Sequence, residues 1–163
     1  MKIKYTIIII LTLLALVGCT TRMSPHETVK HLSKYPVALD VSVGPKLLAL
    51  EDKASHMGHS IIVPSGMIAS RWFRGKLSQP QIELKSSHLS FETRDEFPLP
   101  IFHSRADYRI SCVLLKGDKK ISVSGNGTGK SGIDVKEAIV QAIEEAFSDL
   151  ADQTSMVINL TQQ

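Results

Sequence analysis

The chain has 163 residues, of which 43% are hydrophobic and 21% charged, and its formal net charge is +3. This length fits a single domain with one hydrophobic core. Residues 1–18 contain Lys2 and Lys4 but no acidic residue, so the rest of the chain is almost neutral. We therefore expect no nucleic acid as a partner, because nucleic-acid-binding domains show a clear basic excess or stripe.

The beginning of the chain has the pattern of an export signal. A short basic segment, Met1 to Tyr5, precedes an apolar run from Thr6 to Val17. A helix over this run would be roughly 18 Å long, well short of the ~30 Å hydrocarbon core of a bilayer. The run is therefore typical of the apolar part of a signal peptide. The alternative is an uncleaved membrane anchor that is followed by a cysteine by chance.

The string Leu16-Val17-Gly18-Cys19 resembles the lipobox of bacterial lipoproteins. This resemblance implies that residues 1–18 are a lipoprotein signal peptide and that Cys19 is acylated and becomes the first residue of the mature chain. The covalent lipid on Cys19 is the only cofactor that we expect, and it implies a membrane as a partner. Thr20 stands where an Asp would imply retention in the inner membrane. The expected location is the outer membrane, facing the periplasm.

Acylation of Cys19 would leave Cys112 as the only thiol of the mature chain, which excludes an internal disulfide. Cys112 lies in an apolar segment. The pattern therefore favours a small buried hydrophobic residue over a reactive nucleophile.

Residues 19–36 are polar and predict a tether that holds the domain off the bilayer. Within this segment, Ser24 as N-cap, Pro25 as the first helical residue and Glu27 at the third helical position predict one short helix. Residues 37–163 are expected to form a single α+β domain.

The middle of the chain gives weaker signals. Period-2 alternation predicts a strand over Val37–Val43. Ser60–Val63 is typical of a brief buried strand, and Ile82–Phe91 also predicts a strand. Lys46–His56 fits a short helix, although its leucines are equally consistent with a strand. Arg94–Pro100 contains two prolines and predicts a loop.

The last third has the clearest pattern. Alternation over Tyr108–Leu115 and Ile121–Ser124 predicts an antiparallel hairpin with a charged turn between the strands. Asp134 and Glu137, after Ile133, form a capping box for a helix of roughly 18 residues. Its apolar stripe consists of Ala138, Ile139, Ala142, Ile143, Ala146, Phe147 and Leu150, and its water-facing side consists of Lys136, Glu144, Glu145, Asp149 and Asp152. The predicted fold class is α+β, with a mainly antiparallel sheet and a C-terminal amphipathic helix packed on it.

The segment from Ser124 to Ser131 resembles a phosphate-binding loop, because it contains Gly-Lys-Ser between a strand and a helix. However, Ser124 stands where the first glycine is required, and Gly132 and the cap at Asp134 delay the start of the helix. In phosphate-binding loops the phosphates contact the helix N-terminus itself. We therefore expect no nucleotide, and we interpret the glycines as a strand exit and a flexible approach to the helix.

No catalytic or metal-binding set emerges from the sequence, so we expect a protein that is not an enzyme. His56 and His59 could approach one metal ion, but zinc sites normally use three or four ligands. Neither a catalytic nor a metal-ligating residue is therefore assigned.

Residues 106–155 resemble the C-terminal part of uncharacterised lipoproteins of the YajG type. The residues that carry the resemblance are Ala106-Asp107-Tyr108, the hairpin, Gly125, the helix from Asp134 and the closing segment Leu150 to Ser155. The resemblance implies an envelope lipoprotein with an α+β fold, and it brings no catalytic residues.

The expected function is that of a non-enzymatic binding or assembly-accessory module with a protein partner in the cell envelope. The alternative is an auxiliary lipoprotein of an envelope transport system that handles lipid or another apolar ligand. Arg71, Trp72, Phe73 and Arg74 combine the residue types that are enriched at binding hot spots and are the candidate partner contact. The other interpretation of these four residues is that the two aromatic rings fill the core.

Overall fold

The structure is a computed structural model that describes residues 19–33, 38–75, 80–96, 101–132 and 134–160. The predicted signal peptide, the first three residues of the lipobox, and Ile133 lie outside these residues. No helix of the described part is long and apolar enough to cross a membrane.

The described residues form seven strands and four helices. In chain order these are β1 (Thr20–Arg22), α1 (Pro25–His31), β2 (Ser42–Val43), α2 (Pro45–Leu48), β3 (Asp52–His56), β4 (His59–Val63), α3 (Ser65–Trp72), β5 (Gln81–Glu96), β6 (Ile101–Lys116), β7 (Lys119–Ser131) and α4 (Val135–Leu160).

The strands form two sheets. The small sheet has the order β1-β4-β3, in which β1 runs parallel to β4 and β3 runs antiparallel to it. The large sheet has the order β2-β5-β6-β7 and is antiparallel except for the two-residue pairing of β2 with β5. Helix α4 packs on the large sheet. The predicted α+β class, with a mainly antiparallel sheet and a packed C-terminal helix, is confirmed.

The prediction that residues 19–36 form a tether is wrong for residues 19–33, because these residues belong to the folded unit. Strand β1 pairs with β4, and the side chains of Met23 and Thr28 are buried. The predicted short helix is confirmed as α1, with reciprocal hydrogen bonds between Ser24 and Glu27. All three residues of β1 are exposed, and the strand is held by backbone pairing alone. The sequence therefore has no hydrophobic pattern that would predict it.

The middle of the chain differs from the predictions in three places. The loop predicted over Arg94–Pro100 is wrong for its first three residues, because β5 continues to Glu96, and residues 97–100 lie outside the described part. The helix predicted over Lys46–His56 ends at Leu48, and Asp52 begins a hairpin instead. Met57 (φ 47°) and Gly58 (φ 80°) form its two-residue turn. Of the strand predicted over Val37–Val43, only Ser42 and Val43 join a sheet, and residue 37 lies outside the described part. The backbone of residues 39–41 bonds instead to the last residue of α3 and to the chain that follows it.

The interpretation of the glycine-rich segment as a strand exit is wrong, because β7 continues to Ser131 and places alternate glycines under α4. A Cβ atom on Gly125, Gly127 or Gly129 would lie 2.0, 2.0 or 1.8 Å from a carbonyl oxygen of α4, and these oxygens belong to Ala146, Ala142 and Ala138. A Cβ atom does not approach a non-bonded carbonyl oxygen this closely. The backbones of strand and helix therefore touch without intervening side chains.

Helix α4 also covers the outer edge of β7. The backbone N–H groups of Thr128, Asn126 and Ser124 donate to side-chain oxygens on successive turns of α4, with N···O distances of 2.7, 3.0 and 3.2 Å. The acceptors are Glu145, Asp149 and Gln153. These three edge groups are therefore paired within the molecule, which protects the edge from pairing with another chain.

Helix α4 is capped by Asp134, as predicted, because its Oδ1 accepts from the backbone N–H of Lys136 at 2.8 Å. Glu137 does not close the box directly, since its carboxylate accepts from Ser131 Oγ, which in turn accepts from the N–H of Asp134. The helix has 26 residues rather than about 18, because Ala151 and Thr154 extend the buried stripe.

The prediction that Glu144 faces water is wrong. Its side chain is buried and accepts hydrogen bonds from the backbone N–H and the hydroxyl of Ser33, at 2.9 and 2.8 Å. This carboxylate therefore holds the segment after α1 against α4.

Candidate functional site

A groove of about 490 Å³ lies between the tip of the β3–β4 hairpin, strand β5 and the first turn of α4. Its apolar lining comes from Met57, Ile61, Phe91 and Val135, and the polar lining from Thr21, His56, His59, Ser60, Thr93 and Lys136. A concave, largely apolar wall with a few polar groups is typical of a site for a small ligand. This groove is the candidate binding site.

Cys19 lies at the same end of the small sheet as this groove. It is exposed, and its carbonyl oxygen accepts from the N–H of Ser60 at 2.9 Å, which extends the pairing of β1 with β4 by one residue. Side chains two residues apart on a strand point to the same side. The side chain of Cys19 therefore projects on the face of β1 from which Thr21 lines the groove.

His56 forms part of the groove wall and packs against Phe91, with ring centroids 5.8 Å apart and the rings tilted by 57°. Its Nε2 atom is buried and has no hydrogen-bond partner among the described residues. A buried imidazole nitrogen without a partner is costly. Because this atom is closed to solvent, a ligand in the groove would not reach it.

His56 and His59 pair with each other across the hairpin, because His56 directly precedes its turn and His59 directly follows it. Within the described ranges, no group of three or more His, Cys, Asp or Glu side chains is arranged to hold a metal ion. We therefore assign no metal to the groove.

The rim of the groove is joined to α1 by an ion pair. The ammonium of Lys136 lies 2.8 Å from the carboxylate of Glu27. The hydrogen bond from Lys136, with help from the backbone N–H of Ser24, lowers the pKa of Glu27 to about 2. Glu27 thus stays ionised, and Lys136 stays paired, in mildly acidic solution.

A second polar cluster is buried where the small sheet meets the large one. The carboxylate of Asp52 accepts from the hydroxyl of Tyr108 at 2.7 Å and from that of Ser87 at 2.6 Å. Burial and the neighbouring carboxylate both raise the pKa of Tyr108, so the phenol keeps its proton and donates it to Asp52. The role of this cluster is to join β3 to β5 and β6.

We expect Tyr108→Phe to lower the free energy of unfolding by about 1 to 3 kcal/mol, because it leaves the buried carboxylate of Asp52 with one donor fewer. Urea unfolding followed by circular dichroism measures this loss. Ser90→Ala, at an exposed position of β5, is the control and should leave the stability unchanged. Equal stability of the Tyr108 and Ser90 variants would contradict the assigned hydrogen bond.

The uncovered face of the large sheet carries a shallower polar cavity of about 430 Å³. There Asp107 accepts hydrogen bonds from Arg105 and from the hydroxyl of Thr128. The hydrogen bond from Arg105 lowers the pKa of the Asp107 carboxyl. Polar side chains of this kind are usual on the solvated face of an antiparallel sheet, so this cavity is the weaker candidate.

The candidate partner contact at Arg71, Trp72, Phe73 and Arg74 is wrong for its two aromatic residues. Trp72 and Phe73 are 8% and 1% exposed, and both belong to the core, as the other interpretation had it. Arg71 is half-buried and Arg74 is exposed. Without exposed rings, this segment lacks the anchors of a binding hot spot.

Two other sequence-level candidates have structural roles. Cys112 is buried in β6, and burial raises the pKa of its thiol to about 12, so the thiol is protonated and unreactive at neutral pH. The segment that resembles a phosphate-binding loop is an extended strand up to Ser131 and does not wrap around a helix N-terminus.

Sequence reasoning missed the groove itself. Its walls come from β1, the β3–β4 hairpin, β5 and α4, which are far apart in the chain, so no local spacing brings them together. Two signals for the hairpin were available in the sequence. These are the period-2 pattern of residues 52–56 and the turn residues Met57 and Gly58.

No protein-family model matches this chain, and no curated protein matches it with significant similarity.

Proposed function

We propose that this chain is an outer-membrane-anchored periplasmic lipoprotein that acts as a non-enzymatic binding or assembly-accessory module of the cell envelope. The observation that carries the proposal is the position of Cys19. This cysteine ends a lipobox-like string in the sequence and is exposed at the edge of the small sheet. An exposed thiol is open to lipid attachment, whereas Cys112 is buried.

The surroundings of Cys19 support an anchoring role. Its backbone is held to β4, so an acyl chain attached there would bind the domain closely to a membrane. The resemblance of residues 106–155 to YajG-type lipoproteins agrees with an envelope location.

The groove favours a second candidate function, that of an auxiliary lipoprotein of an envelope transport system that handles lipid or another apolar ligand. A carrier needs a concave apolar site, whereas a scaffold needs an exposed edge or patch. Three N–H groups on the edge of β7 are already paired with α4, and the largely apolar groove lies beside Cys19.

We expect Cys19→Ser to abolish acylation, because a hydroxyl cannot replace the thiol that receives the lipid. Metabolic labelling with radioactive palmitate, followed by immunoprecipitation, measures this loss. Cys112→Ala is the matched control and should keep the label, since Cys112 is buried. Undiminished labelling of the Cys19 variant would refute the lipoprotein assignment.

A further inference from the structure

We propose that the groove opens onto the leaflet that anchors the protein and takes up one acyl chain of a phospholipid from that leaflet. The proposal rests on the acylation of Cys19 and adds to it a ligand class, an entry side and an orientation. It draws on the position of Cys19 and on the lining of the groove.

The position of Cys19 sets the orientation. Thr20 pairs with Ser60 and begins β1, so no flexible linker separates an acylated Cys19 from the fold. The hairpin turn lies at the same end of the small sheet, and there Met57 is 83% exposed. A lipid on Cys19 therefore brings this end of the domain, with its apolar Met57, to the bilayer surface.

The groove begins at that same end. Thr21 lines it and is two residues from Cys19, which is a distance of about 7 Å along a strand. Met57 and His59 line it as well. An acyl chain can thus pass from the leaflet into the groove over a short path beside the anchor.

The lining fits the apolar part of an acyl chain. Ile61, Phe91 and Val135 supply apolar walls for the methylene groups. The acyl chains on Cys19 must stay in the leaflet to hold the protein there, so the occupant is a separate lipid.

The test uses the full-length protein, purified in its acylated form and reconstituted into vesicles of phosphatidylethanolamine and phosphatidylglycerol. A fraction of the phosphatidylethanolamine carries a photoactivatable diazirine on one acyl chain. After illumination, we expect cross-linked peptides that contain Met57, Ile61 or Phe91. Met156 is also exposed but lies about 30 Å from Val135 along α4, and it should not be labelled.

Two variants on β5 serve as a matched pair. Thr93→Trp places a large ring in the groove and should lower the cross-linking yield about tenfold, whereas Ser90→Trp, at an exposed position, should not change it. The thermal unfolding of both variants is compared with that of the wild type. Should Thr93→Trp fail to fold, the ratio of label at Phe91, which lies inside the groove, to label at Met156 in the wild type decides the question.

Three outcomes would overturn the proposal. These are equal labelling of Met57 and Met156, an undiminished yield in a folded Thr93→Trp variant, and labelling of the groove only when the diazirine is on the acyl chains of Cys19. The mass of the intact protein shows whether Cys19 is acylated, and so it distinguishes a failure of the lipid site from a failure of the proposed function. An unacylated Cys19 refutes the lipoprotein assignment, whereas an acylated protein without label in the groove refutes the lipid site alone.

Discussion

Gly127→Ala is expected to lower the free energy of unfolding by about 3 kcal/mol or more, at the upper end of the cost of overpacking a core. The added Cβ atom would lie 2.0 Å from the carbonyl oxygen of Ala142 and 2.5 Å from the N–H nitrogen of Ala146. Both atoms belong to the backbone of α4, so neither can rotate away. The helix must move off the strand, and this movement also stretches the hydrogen bond from Thr128 to Glu145.

Gly132→Ala is the control for this prediction. A Cβ atom at Gly132 meets nothing within 4 Å, so the stability should stay within about 0.5 kcal/mol of the wild type. Urea unfolding of the two variants, followed by circular dichroism, gives the comparison. If Gly127→Ala were as stable as Gly132→Ala, the direct contact of β7 with α4 would be wrong.

The large sheet and α4 could be predicted from the sequence because their apolar residues recur with the period of the element. Tyr108, Ile110 and Cys112 alternate along β6, and the stripe on α4 repeats with each helical turn. Burial of one face imposes these periods. Where side chains fill the core, the hydrophobic pattern of the sequence therefore predicts the strands and helices.

Strand β7 beyond Ser124 could not be predicted in this way, because the helix backbone takes the place of apolar side chains. Glycines at 125, 127 and 129 do alternate with polar residues, and Ala138, Ala142 and Ala146 recur at every fourth position of α4. Each pattern is ambiguous when it is considered alone, since glycine is also the usual residue of loops. Only the pairing of the two stripes identifies a strand that lies directly under a helix.

The groove and the position of the segment 19–33 depend on contacts between distant parts of the chain. Strand β1 joins the small sheet through its backbone, and Glu144 is buried because Ser33 supplies two donors to it. Trp72 is likewise buried because of the way α3 packs. The residue types around it would fit a binding hot spot equally well. The sequence shows which side chains are able to bind a partner. Whether these side chains are exposed depends on tertiary contacts, which the sequence does not show.

Phe147→Ala is expected to lower the free energy of unfolding by about 3 to 5 kcal/mol, the usual cost of removing a large buried ring. Phe147 is fully buried, and its ring centroid lies 6.2 Å from that of Tyr108, whose hydroxyl bonds to Asp52. The cavity would therefore loosen the contact of α4 with β6 and also the polar link to the small sheet.

The matched control for this variant is Asp152→Ala on the exposed side of α4, which should leave the stability within about 0.5 kcal/mol of the wild type. Glu145→Ala is not a neutral control, although Glu145 is exposed, because its carboxylate accepts from the N–H of Thr128 on the edge of β7. We expect it to cost about 1 kcal/mol, between the other two variants. Thermal and urea unfolding should therefore rank the variants Asp152→Ala, Glu145→Ala and Phe147→Ala in order of increasing loss. Equal melting temperatures for the Asp152 and Phe147 variants would mean that the buried side of α4 is assigned wrongly.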